Sequence, residues 1–432
     1  MNLRPFEIAL IGIFAVFAVV GIFWLSMYEP GKTVEEQLFG ESVTIWGTFD
    51  DSQMKSMLQK LTEQNRAFAV VTYKEIDART FENELVNAIA EGKSPDLIIM
   101  PHTLLVSLRP KLQAISYETL SERDFRDAYI DGADIFMLND GIYGLPFGVD
   151  PLLMYWNRDI FSSSGLAQPP KTWESLMSQT TKAIVRTDDE LRLTQSAVAF
   201  GEYENVLHAK EILSMLLMQA GTEIVSEQSE GYRVTLNQAP DNSLSSADAA
   251  LSFYTQFSSP NSELYSWNRS RGLDRSEFAN GTLGMYFGPG SEYEAIAKEN
   301  ANLNFDVTFV PQGSGVVTKR DYGTFYAFAI PRASDNIRGS YAVASYLTSP
   351  ANVQPILEAY ALAPVHRALY TGSHDSFKTI LLESALVARG WLDPSPEESG
   401  EVFKKMVEGI SSGRERFKSV ILDAVYGLEA LF

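Results

Sequence analysis

The sequence predicts an α/β protein of two lobes preceded by one transmembrane helix, and three observations carry that expectation. From Ser42 to Pro101, β-branched runs alternate with helical patterns, which implies βαβ units and a mostly parallel sheet. The chain has 432 residues, beyond the size at which one core keeps growing, so two lobes follow. From Ile8 to Tyr28 the segment IALIGIFAVFAVVGIFWLSMY carries no charge, and about 20 apolar residues span a hydrocarbon layer of roughly 30 Å.

Trp24 and Tyr28 lie at the outer end of that segment, where amphipathic rings favour the headgroup layer. Arg4 and the free amine precede it, while Glu29, Glu35, Glu36 and Glu41 follow. The positive-inside rule then leaves the rest of the chain outside the cytoplasm. A cleaved signal peptide would end in a small-x-small site, and WLSMYEP lacks one. Residues 29–41, EPGKTVEEQLFGE, read as a polar tether. SVTIWGTF is a strand, DDSQMKSMLQKLTEQNRAF a helix, AVVTYKEI a strand, and TFENELVNAIAEGKSPDLIIMP a helix followed by a buried strand.

Downstream, GIYGLPFGVDPLLMYWN reads as two short strands, because Pro146 and Pro151 suit an edge or a crossover. PPKTWESL then opens a helix with Thr172 as its N-cap. SEFANGTLGMYFGPGSEYEAIAKEN gives a short helix, an Asn-Gly turn, a strand and another helix. TFYAFAIPRASDNIRGSYAVASYLTSP is a strand, a turn and a helix ending near Pro350, and the tail from Ser399 is amphipathic helix. In parallel sheets ligands sit beyond the carboxyl ends of the strands. That makes Thr48 to Asp50 and Met100 to Thr103 candidate ligand-facing positions.

Composition closes several routes. A formal charge of −20 argues against a nucleic-acid partner. There is no cysteine, hence no disulfide, thiolate nucleophile, zinc–thiolate site or lipidated cysteine. His102, His208, His366 and His374 are scattered, without metal-ligand spacing. No G-x-S-x-G occurs, and no pair of acids is singled out for glycoside cleavage. GPGSE at Gly288 lacks a following Gly-Lys-Ser/Thr, yet a Gly-rich turn opening a helix can offer backbone N–H groups to a polar ligand. Trp267, Trp391, Tyr155, Trp156 and Tyr203 lie in or beside loop-like stretches, where aromatic faces can stack on sugar rings.

Taken in order, VTIWG, SPDLIIMPH, YGLPFGVDPLLMYWNRDIFSSSGLAQPPKTWESL, FANGTLGMYFGPGSE, and YAFAIPRASDNIRGSYAVASYLTSPANVQPIL with YALAPVH resemble one family. It is the extracellular solute-binding proteins of ABC transporters, the sugar-binding group that includes maltose-binding protein. The blocks cover nearly everything from Ser42 to Phe432.

The resemblance implies a periplasmic-binding-protein-like fold of type II that closes on a small solute. Lobe 1 would be 42–149 with 325–372, and lobe 2 would be 150–322 with 376–432. It implies a cleft lined by Thr48, Phe49 and Asp50, by Met100, His102 and Thr103, and by the hinge acid Asp150. FGEYE adds Glu202 and Tyr203, the FGPGSE turn adds Gly288, Gly290 and Ser291, and Phe325 opens a later block. Trp267 and Trp391 would be the late aromatics.

No catalytic residue, metal or cofactor is implied. The partners would be a saccharide and permease subunits, with the binding domain outside a membrane crossed once. Two departures stand out: Gly290 replaces an aromatic that follows the Gly-Pro turn in maltose-binding protein, and Thr103 and Leu104 replace the charged residues expected after His102. The rival readings are a surface sensor or adhesin using the same fold, and a polysaccharide-acting enzyme.

Overall fold

The computed structural model of the chain describes residues 38–40, 42–238, 245–372 and 375–432. The apolar segment 8–28 and most of the tether lie outside them. Among the described residues, no helix is long and apolar enough to cross a membrane.

In chain order the strands are β1 Val43–Gly47, β2 Val71–Glu75, β3 Leu97–Pro101, β4 Met137–Leu138, β5 Gly141–Ile142, β6 Leu145–Asn157, β7 Arg186–Thr187 and β8 Leu193–Val198. They continue with β9 Val225–Gln228, β10 Gly231–Val234, β11 Leu283–Pro289, β12 Phe305–Thr308, β13 Asp321–Ala329, β14 Ala363–Pro364 and β15 Ala388–Arg389. The main sheet runs β2-β1-β3-β13-β6-β11-β8-β7. β1 pairs in parallel with β2 and β3, and β11 in parallel with β8. β13 and β6 are antiparallel to each other, to β3 and to β11 respectively. The sheet is therefore mixed: parallel within each wing and antiparallel through the middle.

The first βα unit forms for local reasons. Helix α1, Asp51–Gln64, buries Met54, Met57, Leu58 and Leu61, one face at helical spacing. Its first turn is closed by Asp50, whose Oδ1 accepts from the Gln53 N–H at 2.9 Å. β3 is buried at Leu97, Ile98, Ile99 and Met100, as a strand covered on both faces must be. The end of the expected tether is not free: Phe39 is buried, edge-on to Phe68 at 5.2 Å, and its carbonyl accepts from Asn336 Nδ2.

The expected pair of short strands around Pro146 and Pro151 is one continuous strand, β6. Proline removes a ladder donor, so it survives only where the partner does not need that donor. Pro146 sits beside the register shift between Tyr326 and Ala327. Pro151 is the last residue paired with β13, and pairing with β11 begins at Leu152. The prolines thus mark the point where β6 changes neighbours and passes from one wing of the sheet to the other.

The remaining helices that matter are α2 Phe81–Ala90, α3 Ala209–Gln219, α4 Ser246–Thr255, α5 Ile337–Thr348, α6 Ser376–Val387, α7 Pro396–Ser411 and α8 Phe417–Glu429. Thr172 caps the PPKTW helix as expected, accepting from the Ser175 N–H.

A candidate cleft at the crossing strands

Asp150 lies where β6 changes partners, opposite Thr324 of β13. The turn after β11 runs back beside it, and the Ser291 N–H donates to Asp150 Oδ1 at 3.1 Å. The carboxyl is only 7% exposed. Burial pushes its pKa up to about 6, partly countered by the Ser291 hydrogen bonds, with the Glu292 charge adding to the rise.

The turn after β1 supplies an aromatic face. The Phe49 ring stacks on Tyr360 at 4.1 Å and lies 5.1 Å from Tyr326. Tyr73 Oη donates to the Phe49 carbonyl and Tyr360 Oη to the Asp50 carbonyl, so this turn is pinned from two sides. Tyr326 and Asp150 are near enough for the carboxylate's charge to push the phenol's pKa up, after burial itself. Asp150, Ser291, Phe49, Tyr326 and Tyr360 therefore form one neighbourhood. It combines a desolvated acceptor with flat apolar rings, which suits a polyhydroxylated solute with an apolar face.

From the other wing comes a polar network. His208, just before α3, lies 3.1 Å from Glu292 Oε1 through Nε2, and Tyr286 Oη donates to Glu292 Oε2. Burial works to lower the His208 pKa, but the Glu292 hydrogen bond together with the charges of Glu211, Glu292 and Asp274 turns the net shift upward. Lys210 Nζ donates to Asp393, to the Pro396 carbonyl and to Ser399 Oγ. Tyr326, Tyr360, His208 and Glu292 were not singled out from the sequence. Each belongs to a helix or strand pattern there, and only the fold brings them to the crossing.

Other expected residues have different placements. Asp50 spends its carboxylate on the α1 cap. Met100 is core, and Thr103 is half-buried in the turn His102–Leu104. Thr48 is half-buried just past β1.

His102 is 0% exposed; its Nδ1 accepts from the Phe325 N–H, and burial drives its pKa to about 3. That leaves the ring neutral, with Nε2 buried against Gly390, where a Cβ would come within 2.3 Å. Phe325 is fully buried and fills the space beside Gly132, on the opposite face of β13 from Thr324. Glu202 is buried and pairs with Arg269 at 3.0 Å, and Tyr203 is half-buried beside Gly400.

The aromatics expected to face solvent largely do not. Trp267 and Tyr155 are fully buried, and Trp391 is nearly so, stacked on Phe403 with its Nε1 donating to Ser214. Tyr155 lies inside β6, paired with β11 and β12, and the loop positions of Trp267 and Trp391 in the sequence did not reveal that both rings turn inward.

Gly288 and Gly290 have steric reasons to lack side chains. A Cβ on Gly288 would meet the Tyr286 ring at 2.5 Å, and one on Gly290 would meet Leu381 Cδ1 at 2.5 Å. Helix α6 thus occupies the place an aromatic at position 290 would need. Gly290→Trp is expected to destabilise the fold by about 1–3 kcal/mol through overpacking, measured by denaturant melts. A neutral result would mean α6 is not seated there.

Among the described residues, no three metal-ligating side chains cluster.

A family model described as bacterial extracellular solute-binding protein matches residues 56–379. The chain belongs to that family, whose members bind solutes rather than transform them.

A protein from Brucella abortus (strain 2308), named only as a binding protein, is 22% identical over 364 residues, 81% of this chain and 82% of its own. A maltooligosaccharide ABC transporter solute-binding lipoprotein of Streptococcus pneumoniae is 21% identical, covering 87% of this chain and 86% of its own.

Among solved structures, a cyclo/maltodextrin-binding protein complexed with maltotetraose superposes with a TM-score of 0.72 at 15% identity, over 93% of this chain and 98% of that one. An ABC transporter solute-binding protein from Thermotoga lettingae, bound with α-D-tagatose, gives 0.66 at 20% identity, over 91% and 100%. These likenesses establish the two-lobed α/β solute-binding fold.

Proposed function

We propose that this chain is the extracytoplasmic receptor of an ABC importer for a carbohydrate, held at the membrane by residues 8–28. The observation that carries the solute class is the pairing of a buried carboxylate, Asp150, with the Phe49–Tyr326–Tyr360 rings at the crossing of β6 and β13. Sugars offer hydroxyls to the first and apolar C–H faces to the second.

The lobes are taken as 42–149 with 325–372 and 150–322 with 376–432. The switch of β6 from β13 to β11 at Pro151 and Leu152 supports that division. Solute contacts are assigned to Phe49, Thr103, Asp150, Tyr203 and Ser291, joined by Tyr326 and Tyr360. Closure would shift the population towards a state in which both wings touch the solute. The named ligands of the Streptococcus and Thermotoga relatives point the same way, as does the uncharged apolar segment at the N-terminus.

The test is a melting-temperature screen of the purified chain against sugars, beginning with maltotetraose and tagatose. A bound solute at 100 times its Kd should add about 2.7 kcal/mol of stability by mass action. Shifts with amino acids or peptides and none with sugars would refute the carbohydrate assignment.

A further inference from the structure

The crossing strands have a second face, and the lobes meet again behind it. Thr324 and Tyr326 of β13 share one face with Asp150, whereas Phe325 points the other way. On that other face a Cβ on Gly132 would come within 2.1 Å of the Phe325 ring and 2.5 Å of the Ala388 carbonyl. A Cβ on Gly323 would meet that of Ala388 at 2.9 Å. Gly132 and Ala388 therefore cover the crossing strands on the side away from the solute neighbourhood.

Beyond this cover lies a cavity of about 550 Å³, lined from lobe 1 by Ile135 and Leu138 and from lobe 2 by Met218 and Val225. Side-chain packing does not join walls across such a space. The chain leaving the first wall makes a polar contact instead, at the turn Asn139–Asp140 between β4 and β5.

Arg109 is the hub of that contact. Within lobe 1 it pairs with Asp140 at 2.8 Å, and Tyr143 Oη donates to the same carboxylate at 2.7 Å. Across to lobe 2 it pairs with Glu227 at 2.9 Å and donates to Tyr232 Oη at 2.7 Å. The Asn139 N–H donates to Glu227 Oε2 at 2.9 Å, and Asn139 Nδ2 to the Gln228 carbonyl at 3.2 Å. The Glu227 side chain is only 12% exposed, so this pair is better shielded than an ordinary surface pair. Lobe 2 braces its own side: β9 and β10 pair antiparallel, and the Tyr232 ring stacks on Phe432 at 4.8 Å.

Two lobes that turn about the crossing strands cannot come together on the Asp150 face without parting on the Gly132 face. We propose that Arg109, Asn139 and the β9–β10 hairpin form a clasp that holds the solute side open, an inference resting on the lobe division and solute neighbourhood given above. Only molecules with the clasp parted close on solute, and the apparent affinity is reduced by that fraction. Parting is reversible at Arg109, because Asp140 stays beside it in lobe 1 when Glu227 and Tyr232 leave. The guanidinium is then not stranded without a partner.

The chain has no cysteine, so spin labels at Glu118→Cys and Ser229→Cys read the separation across the clasp in the full chain. Both positions are exposed; Glu118 follows Tyr117, whose hydroxyl donates to the Leu138 carbonyl, and Ser229 lies at the hairpin tip. Without solute, Arg109→Ala is expected to lengthen and broaden that distance. It should also tighten binding of maltotetraose or tagatose, whichever binds, at least three-fold. Glu227→Gln, which removes only the charge on the lobe 2 side, should act in the same direction to a smaller extent, and it serves if Arg109→Ala does not fold. Asp140→Asn, which cuts a bond inside lobe 1, should not lengthen the distance. An unchanged distance in the folded clasp variants overturns the proposal. So does a lengthened distance with sugar affinity unchanged or weakened, or lengthening by Asp140→Asn equal to that by Glu227→Gln. If no sugar binds, the carbohydrate reading fails by itself, and the distances still decide the clasp.

Discussion

Asp150→Asn is expected to stabilise the protein at pH 7, to be neutral near pH 4, and to weaken solute binding at pH 7. The folded pKa of Asp150 is raised, chiefly by burial, from 3.8 to about 6. Below pH 3.8 the carboxyl is protonated in folded and unfolded chains alike, so it contributes no pH-dependent term. Between about pH 4 and 6 the unfolded chain loses its proton while the folded chain keeps it. The folded state then binds more protons, and stability falls as pH rises.

Above about pH 6 the whole penalty is present, roughly 3 kcal/mol for a shift of about two pKa units at 1.36 kcal/mol each. Asparagine cannot ionise and retains an oxygen to accept from the Ser291 N–H, so it escapes that cost. Denaturant melts at pH 4 and pH 7 read the difference directly. Equal gains at both pH values, or none at pH 7, would refute the buried-carboxylate account.

At pH 7 the same substitution should cost at least ten-fold in sugar affinity, since a charge-assisted hydrogen bond contributes roughly 1.5–3 kcal/mol. A destabilising group kept at the crossing of the sheet makes sense as a binding group, because stability and function are commonly traded at such sites.

What the sequence made legible was local. The strand VTIWG, the α1 face, the Thr172 cap and the βα alternation all depend on residues within a few positions of one another, and all stand in the fold. The blocks carrying the family resemblance led to the right class. Of the candidate neighbourhood, Phe49 after β1, Asp150 on the crossing strand and Ser291 in the turn were legible, because backbone position decides them.

The rest depended on contacts between distant segments. Phe49 and Tyr360 stack across 311 residues of chain, and Tyr360 reads in the sequence as an ordinary helix end. The prolines of β6 suggested a break because their missing donors are visible in sequence, whereas the change of neighbour that tolerates them is not. His102 follows a strand end, as ligand-facing residues do, yet the close approach of Gly390 seals it in.

Trp267→Ala should lower stability by about 3–5 kcal/mol, the usual range for emptying a buried indole site, while leaving sugar affinity within two-fold of wild type. The indole is 0% exposed and donates through Nε1 to Asn205 Oδ1 at 3.1 Å. Asn205 Nδ2 in turn donates to the carbonyls of Asn268 and Arg271, tying the loop back on itself. The residue before it, Ser266, accepts through Oγ from the N–H groups of Ala197 and Val198 and so finishes the end of β8. Removing the indole therefore loosens both a core site and the loop that caps a strand.

Trp267→Phe separates packing from hydrogen bonding: it refills most of the volume but strands the Asn205 oxygen, for an intermediate loss of about 1–3 kcal/mol. A cleft aromatic would behave in the opposite way, with affinity falling in both variants and stability hardly moving. Sugar binding lost in Trp267→Ala under conditions where the variant remains folded would return Trp267 to the cleft and overturn its placement in the core.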